Sequence, residues 1–196
     1  MSQWYEREIQ NKNYLSPIGF RLLIQKAPKV SFMCQDVAIP SINLGSVELP
    51  YRGFVTTPVE GNIKFEDFTV EFLVDEDLEN WLEIYDWIRG LGVAAAASDR
   101  YDYLESKFKI GGQSDMYRAA KGNEKTSDAV LMVQNNNYAL NFEIVLRDCF
   151  PISLTPLPFN VTGSDNNYMT ARATFRYTYY DVYKSYDASG DPTRGG

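Results

Sequence analysis

FEDFTVEFLVDEDLENWLEIYDWIRGLG, running from Phe65 to Gly92, changes its period once. Phe68, Val70, Phe72 and Val74 alternate with Thr69, Glu71 and Leu73, the two-residue period of a half-buried strand. After Asp75, Glu76 and Asp77 the spacing turns helical. Leu78, Trp81, Leu82, Tyr85 and Ile88 fall on one expected apolar face, with Glu79, Asn80, Glu83, Asp86 and Arg89 on the wet one. The carboxylates suit a helix N-terminus, as acceptors for its free amides and as partners of its dipole. Gly90 or Gly92 supplies the stop. A strand thus hands over to an amphipathic helix that lies on a sheet.

Outward from this unit the chain reads as strands. Phe20, Leu22 and Ile24 alternate with Arg21, Leu23 and Gln25, and a turn at Lys26 to Pro28 leads into Val30, Phe32 and Cys34, expected as a second strand. Ala129, Leu131 and Val133, an Asn-rich turn, and Leu140, Phe142, Ile144 and Leu146 predict a hairpin, with Asn supplying the left-handed backbone. Phe150 to Pro158, with three prolines, is expected as a rigid crossover or an edge. Tyr168 to Tyr183 alternates as one long strand, with Ala171, Ala173, Phe175, Tyr177 and Tyr179 apolar against Thr170, Arg172, Thr174, Arg176 and Thr178. The fold class is mainly β with minor α: an antiparallel β-sandwich or barrel with one flanking helix, a long projecting loop and an inserted loop and helix lobe. A single domain, 1–196, is divided into an N-terminal arm 1–17, a projecting arm 37–65, the inserted lobe 93–128 and a flexible tail 184–196.

The projecting arm carries Pro, Gly and exposed-looking apolar residues between two strands. Loops beyond roughly 12–15 residues are uncommon in compact domains without a task. Ile39, Ile42, Leu44, Val47, Leu49, Tyr51 and Phe54 cannot all pack on the parent domain if the segment projects, and a second copy of the chain is the natural receptor. Unprotected sheet edges point the same way, since natural proteins cover, charge or pair them.

Composition removes most alternatives. Histidine is absent, which excludes Ser/His/Asp and Cys/His catalysis and the commonest metal ligand. The two cysteines, Cys34 and Cys149, read as inert buried thiols rather than a disulfide framework. The N-terminus shows no signal-like apolar segment and no run reaches the ~18 residues of a membrane span, so folding in a cytoplasm without membrane insertion is expected. A net charge of −7 without a basic cluster disfavours tight nucleic-acid binding, while an acidic wall would let nucleic acid pass unbound. Asp75, Glu76, Asp77 and Glu79 lack the loop that would converge them on a cation. Glu66 and Asp67 could be an acid/base pair only with a fixed separation that the sequence does not supply, and a hydrolytic domain using Glu66 or Asp75 would need convergent carboxylates. Arg172, Arg176 and Lys184 are expected to pair with acidic neighbours rather than bind single strands. Neither catalytic residues, cofactor nor metal is expected. The Asn160 sequon is set aside without a secretory route.

VSFMCQDVAIP, LPYRGF, the Phe65–Leu91 unit, LNFEIVLRDCFPISL and TARATFRYTYYDVY, in this order and spacing, make the chain resemble the tail tube proteins of contractile-tailed, T-even-type bacteriophages. The resemblance implies a self-assembling virion protein in stacked hexameric rings that form the conduit for genome ejection. It implies tail sheath, baseplate and tail terminator proteins as partners, DNA passing through the lumen without specific binding, and assembly in the host cytoplasm. The lobe 93–128 and the polar tail after Tyr183 exceed the simplest tube subunits. They leave a baseplate tube initiator, or the tube subunit of a related contractile injection system, as alternatives.

Overall fold

A computed structural model describes residues 13–51, 53, 55–92, 125–160, 168–186 and 192–194, with the backbone alone at 51, 55–57, 185, 186 and 192–194. The elements are β1 (Phe20–Ile24), α1 (Pro28–Phe32), β2 (Cys34–Val37), β3 (Ile42–Tyr51), β4 (Val55–Phe65), β5 (Phe68–Leu73), α2 (Glu79–Leu91), β6 (Ser127–Gln134), β7 (Leu140–Leu154), β8 (Thr170–Arg176), β9 (Tyr179–Tyr186) and β10 (Pro192–Arg194). Eight strands form an antiparallel sheet in the order β1-β6-β7-β8-β5-β2, with β9 also on β7 and β10 on β9. The expected lobe lies outside the described residues up to 124, and the expected N-terminal arm does so up to 12. Of the expected tail, 184–186 complete β9 and 192–194 pair with it.

The fold turns on β7, which belongs to both halves of the sheet. Its first half pairs with β6 and β9 and its second half with β8. Between the halves Asp148 is left-handed (φ 57°), a region Asp tolerates better than most residues. Asp128 pins this bend, accepting the Asp148 amide at 3.1 Å and the Arg147 guanidinium at 2.6 Å. The folded sheet brings Leu22, Ile24, Leu131, Ile144 and Leu146 from one half against Phe68, Val70, Phe72, Ala171 and Phe175 from the other in a single core.

Because β8 and β9 flank the two halves of β7, the expected strand 168–183 is broken at Tyr177 and Thr178. The inward phase shifts across the break. Ala171, Ala173 and Phe175 are buried as expected, but Tyr179 is exposed and Tyr180 packs inward. Phe150–Leu154 continues β7 as the outer edge of the second half, with β8 on one side only, so Pro151 removes an amide where one flank is unpaired. The hairpin turn is held by Asn135, whose side-chain oxygen accepts the amides of Asn137 and Ala139. Its left-handed residue is Tyr138 (φ 58°), not an Asn.

Two helical expectations change. Pro28–Phe32 is a short helix rather than a strand, since Pro suits the first helical turn. Ser31 closes it, donating its hydroxyl to the Ala27 carbonyl at 2.9 Å and accepting the Ile24 amide at 2.8 Å. Among the described residues α1 thus joins the expected flanking helix α2. The buried face of α2 is Asn80, Glu83, Ile84, Trp87 and Gly90, while Leu82 and Tyr85 point to solvent. Polar anchors set this rotation. Asn80 donates to the Leu73 carbonyl at 2.6 Å, the Glu83 carboxylate accepts the Lys29 amide at 3.1 Å, and Glu79 pairs with the Lys29 ammonium.

The acidic run before α2 acts as an N-terminal cap: Asp75 accepts the amides of Glu79 and Asn80, each at 3.0 Å. Burial pulls its carboxyl up, but the Asn80 and Glu79 amides outweigh it and hold its pKa below the ordinary value. A depressed folded pKa contributes stability above the unfolded pKa and loses it as pH falls through the folded one. Asp75→Ala should cost about 1 kcal/mol at neutral pH. The deficit should shrink below about pH 4, where the wild-type carboxylate also protonates. Urea titrations at pH 7 and pH 3 check this, and an equal deficit at both would contradict it.

Candidate assembly interface

The arm is a two-stranded β-hairpin, not a loop. β3 and β4 pair from Ile42↔Phe65 to Tyr51↔Val55, with one register shift between Leu44 and Ser46. Opposed residues of an antiparallel pair share a face. Ile42 and Leu44 share a face with Phe65 and Ile63, and beyond the shift Ser46, Glu48 and Glu60 continue it. Val47 and Leu49 lie on the other face, with Asn43, Lys64 and Val59. The extra residue is on β4, where Gly61 and Asn62 stand opposite Gly45, so the apolar residues of the root half and those of the outer half lie on opposite faces of the ribbon.

Both faces are uncovered. Ile42, Leu44, Val47, Leu49 and Ile63 are between 51 and 59 % exposed. Ile39, in the segment leading into β3, is exposed as well. Of the other expected interface residues, Tyr51 ends β3 and is described by its backbone, and Phe54 lies outside the described residues. Pro50 and Pro58 fit a ribbon in which each strand has a free edge.

The root of the ribbon is rigid. The ring of Phe65 meets those of Tyr177 and Tyr180 at 6.0 and 5.5 Å, at the break between β8 and β9. The Tyr180 hydroxyl donates to the Pro40 carbonyl at 3.1 Å and the Tyr177 hydroxyl to the Glu66 carbonyl at 2.9 Å. Burial first, then neighbouring ionisable groups, push the Tyr177 hydroxyl up to about 12, so it stays a donor at neutral pH. The Glu66 amide reaches the Ser41 carbonyl at 3.1 Å, and Asn43 donates to the Glu66 carboxylate at 2.8 Å. Both chain crossings into the arm are therefore clamped.

At Gly61 the ribbon admits no side chain. A Cβ there would sit 2.8 Å from the Gly45 carbonyl oxygen, where backbone must move. Gly61→Ala should distort the bulge and weaken assembly while leaving the body folded. We expect a melting temperature within about 2 °C of wild type, as for a surface substitution. Calorimetry with sedimentation checks it, and unimpaired assembly would contradict it.

The polar candidates are otherwise occupied. Arg172 pairs with Glu71 at 2.7 Å across β8 and β5, and Arg176 with Asp67 at 3.0 Å. Glu66 braces the arm and Asp75 caps α2, in different elements. No group of three or more metal-ligating side chains converges among the described residues. Burial, first among the causes, raises the thiols of Cys34 and Cys149 to about 11 and 12, which keeps both protonated at neutral pH. The signal missed in the sequence was the pair of alternating apolar runs, Ile42/Leu44 and Val47/Leu49, out of phase by one residue, which gives each face of the ribbon its own apolar patch.

A folded sheet with a clamped, projecting ribbon that exposes apolar residues defines a structural β-protein. The chain belongs to the phage tail tube protein family, which it matches over residues 6–183. It is a structural subunit of a virion tail tube and not an enzyme. A chain of the sheath–tube complex of an extracellular contractile injection system, PVC, in the extended state has the same fold, with a TM-score of 0.58 at 13% identity over 89% of this chain and 94% of that one. A chain of the tube-terminating cap of the anti-feeding prophage gives 0.56 at 12% identity over 94% and 100%. One from the baseplate of the anti-feeding prophage gives 0.53 at 10% identity over 89% and 98%. At these identities the likeness is one of fold. No curated protein matches the sequence.

Proposed function

We propose that this tail tube subunit assembles into hexameric rings that stack into a hollow conduit for the genome, and that the β3–β4 ribbon makes the subunit contacts. The observation that carries this reading is the ribbon's exposed apolar side chains, Ile42, Leu44 and Ile63 on one face and Val47 and Leu49 on the other, held out from the body by a clamped root. Contiguous exposed apolar surface of this kind marks interaction sites. Ile39, Ile42, Leu44, Val47, Leu49, Tyr51 and Phe54 form the assembly surface. The net charge of −7 suits a conduit that DNA crosses without sticking. Sheath, baseplate and terminator proteins complete the tail, and assembly takes place in the host cytoplasm.

Native mass spectrometry of assembled protein tests the ring, with six copies expected and a different closed number contrary to it. Titrating duplex DNA against the assembly over a range of salt tests the lumen. Weak binding is expected, and tight, steeply salt-dependent binding would exclude a non-stick conduit.

A further inference from the structure

The second half of the folded sheet turns one face to the core and the other to water. Phe68, Val70 and Phe72 of β5 are buried, as are Ala171, Ala173 and Phe175 of β8. Residues opposed across an antiparallel pair share a face, so the register lays two polar rows on the outward side. One runs Asp36, Glu71, Arg172 across β2, β5 and β8, and the other Thr69, Thr174, Ser153 across β5, β8 and β7. The ribbon, the β6–β7 turn at Tyr138 and Leu140, and Leu82 and Tyr85 of α2 all expose apolar side chains, whereas these rows carry hydroxyls and charges. Exposed apolar surface is what assembly covers, and a face of hydroxyls and ion pairs is one that stays wet.

The guanidiniums on this face are held by carboxylates. Arg172 pairs with Glu71 at 2.7 Å and Arg176 with Asp67 at 3.0 Å, although the two arginine side chains are 57 and 65 % exposed. The hydrogen bond from Glu71 and its charge, and after them the charge of Asp36, hold the Arg172 proton more tightly than usual. In return the Arg172 bond outweighs desolvation and keeps the Glu71 carboxyl below its ordinary value. Exposed pairs of this kind add little stability. Their effect is on the potential of the face, where Asp36, Asp67 and Glu71 stand against two guanidiniums. An unpaired Arg would offer phosphate a bidentate fork, and each further copy in a tube would repeat it.

We infer that the outward face of β2, β5 and β8 is the surface the genome passes, and that Asp36, Asp67 and Glu71 guard it by keeping Arg172 and Arg176 from phosphate. This rests on the proposed conduit and names the side chains that make its wall non-stick. A phosphate can reach either guanidinium only by displacing a carboxylate already bonded to it.

DNA binding by assembled full-length variants tests the guard. Asp67→Asn combined with Glu71→Gln should hold a short duplex that wild type does not. Its affinity should fall at least about tenfold between about 50 and 200 mM salt, as two phosphate contacts require. The bound duplex should resist nuclease, because it lies inside the tube. Adding Arg172→Gln and Arg176→Gln should abolish the binding. Binding as weak as wild type, binding that survives loss of both arginines, or bound DNA open to nuclease overturns the inference and leaves the tube standing. Should the guard variant not assemble, Thr174→Lys reads the same face, since it adds an ammonium and removes no pair. Protected DNA is expected in its tubes, and their failure to retain any overturns the inference. Wild type that forms no tubes, or that itself binds DNA tightly, overturns the conduit reading and this inference with it.

Discussion

Leu44→Asp combined with Leu49→Asp should give a folded monomer that no longer assembles. The two leucines lie on opposite faces of β3, both exposed, and keep roughly half their surface in water, and β3 and β4 pack chiefly on each other. The body therefore has little to lose. Fully burying a Leu is worth about 1.5–3 kcal/mol, so completing the burial of each contributes about 1 kcal/mol to a contact. Placing an unpaired carboxylate at either desolvated contact adds a penalty of about 1–3 kcal/mol. Together the losses reach about 4 kcal/mol or more per contact, on the order of a thousandfold in affinity. Sedimentation and far-ultraviolet circular dichroism check both halves of the expectation. Normal assembly by the double variant would remove the ribbon from the interface, and loss of the β spectrum would mean that the arm supports the body.

Trp87→Ala should be the most damaging single change to the body. Trp87 is fully buried, its ring centroid lies 6.0 Å from that of Phe175, and its indole N–H donates to the Lys125 carbonyl at 3.0 Å. Truncating a buried Trp costs about 3–5 kcal/mol through lost burial and the cavity left behind. Against a total stability of about 5–15 kcal/mol, this is a large share. A domain of this size loses about 2–4 °C per kcal/mol, so the melting temperature should fall by about 6–20 °C. Scanning calorimetry reads it directly. A fall below about 3 °C would mean that α2 is not a keystone of the core.

Where a segment's own period is strong and its partners are near in sequence, its structure was legible. β1, β5 and the β6–β7 hairpin follow their alternation, and the acidic cap of α2 follows from Asp75 and the helix dipole. Long-range polar contacts decided what the pattern could not. The rotation of α2 comes from Asn80 on Leu73 and Glu83 on Lys29, partners that an apolar stripe does not reveal. The break between β8 and β9 answers the bend at Asp148 on a different strand. In the arm, the apolar residues were picked out from the sequence, but their pairing depends on a one-residue bulge on β4, where Gly61 and Asn62 stand opposite Gly45. A single unbroken alternation would have advertised the ribbon, whereas two out-of-phase runs on opposite faces, with Pro50 and Pro58, resemble an irregular loop.

The most direct test of a self-assembling tube subunit is electron microscopy of the purified wild-type protein over rising concentration. The account predicts rings and hollow tubes of one constant diameter, with the β3–β4 ribbon at subunit contacts when the tubes are reconstructed. A protein that remains monomeric at every concentration, or assembles with the ribbon's apolar side chains open to water, would contradict it.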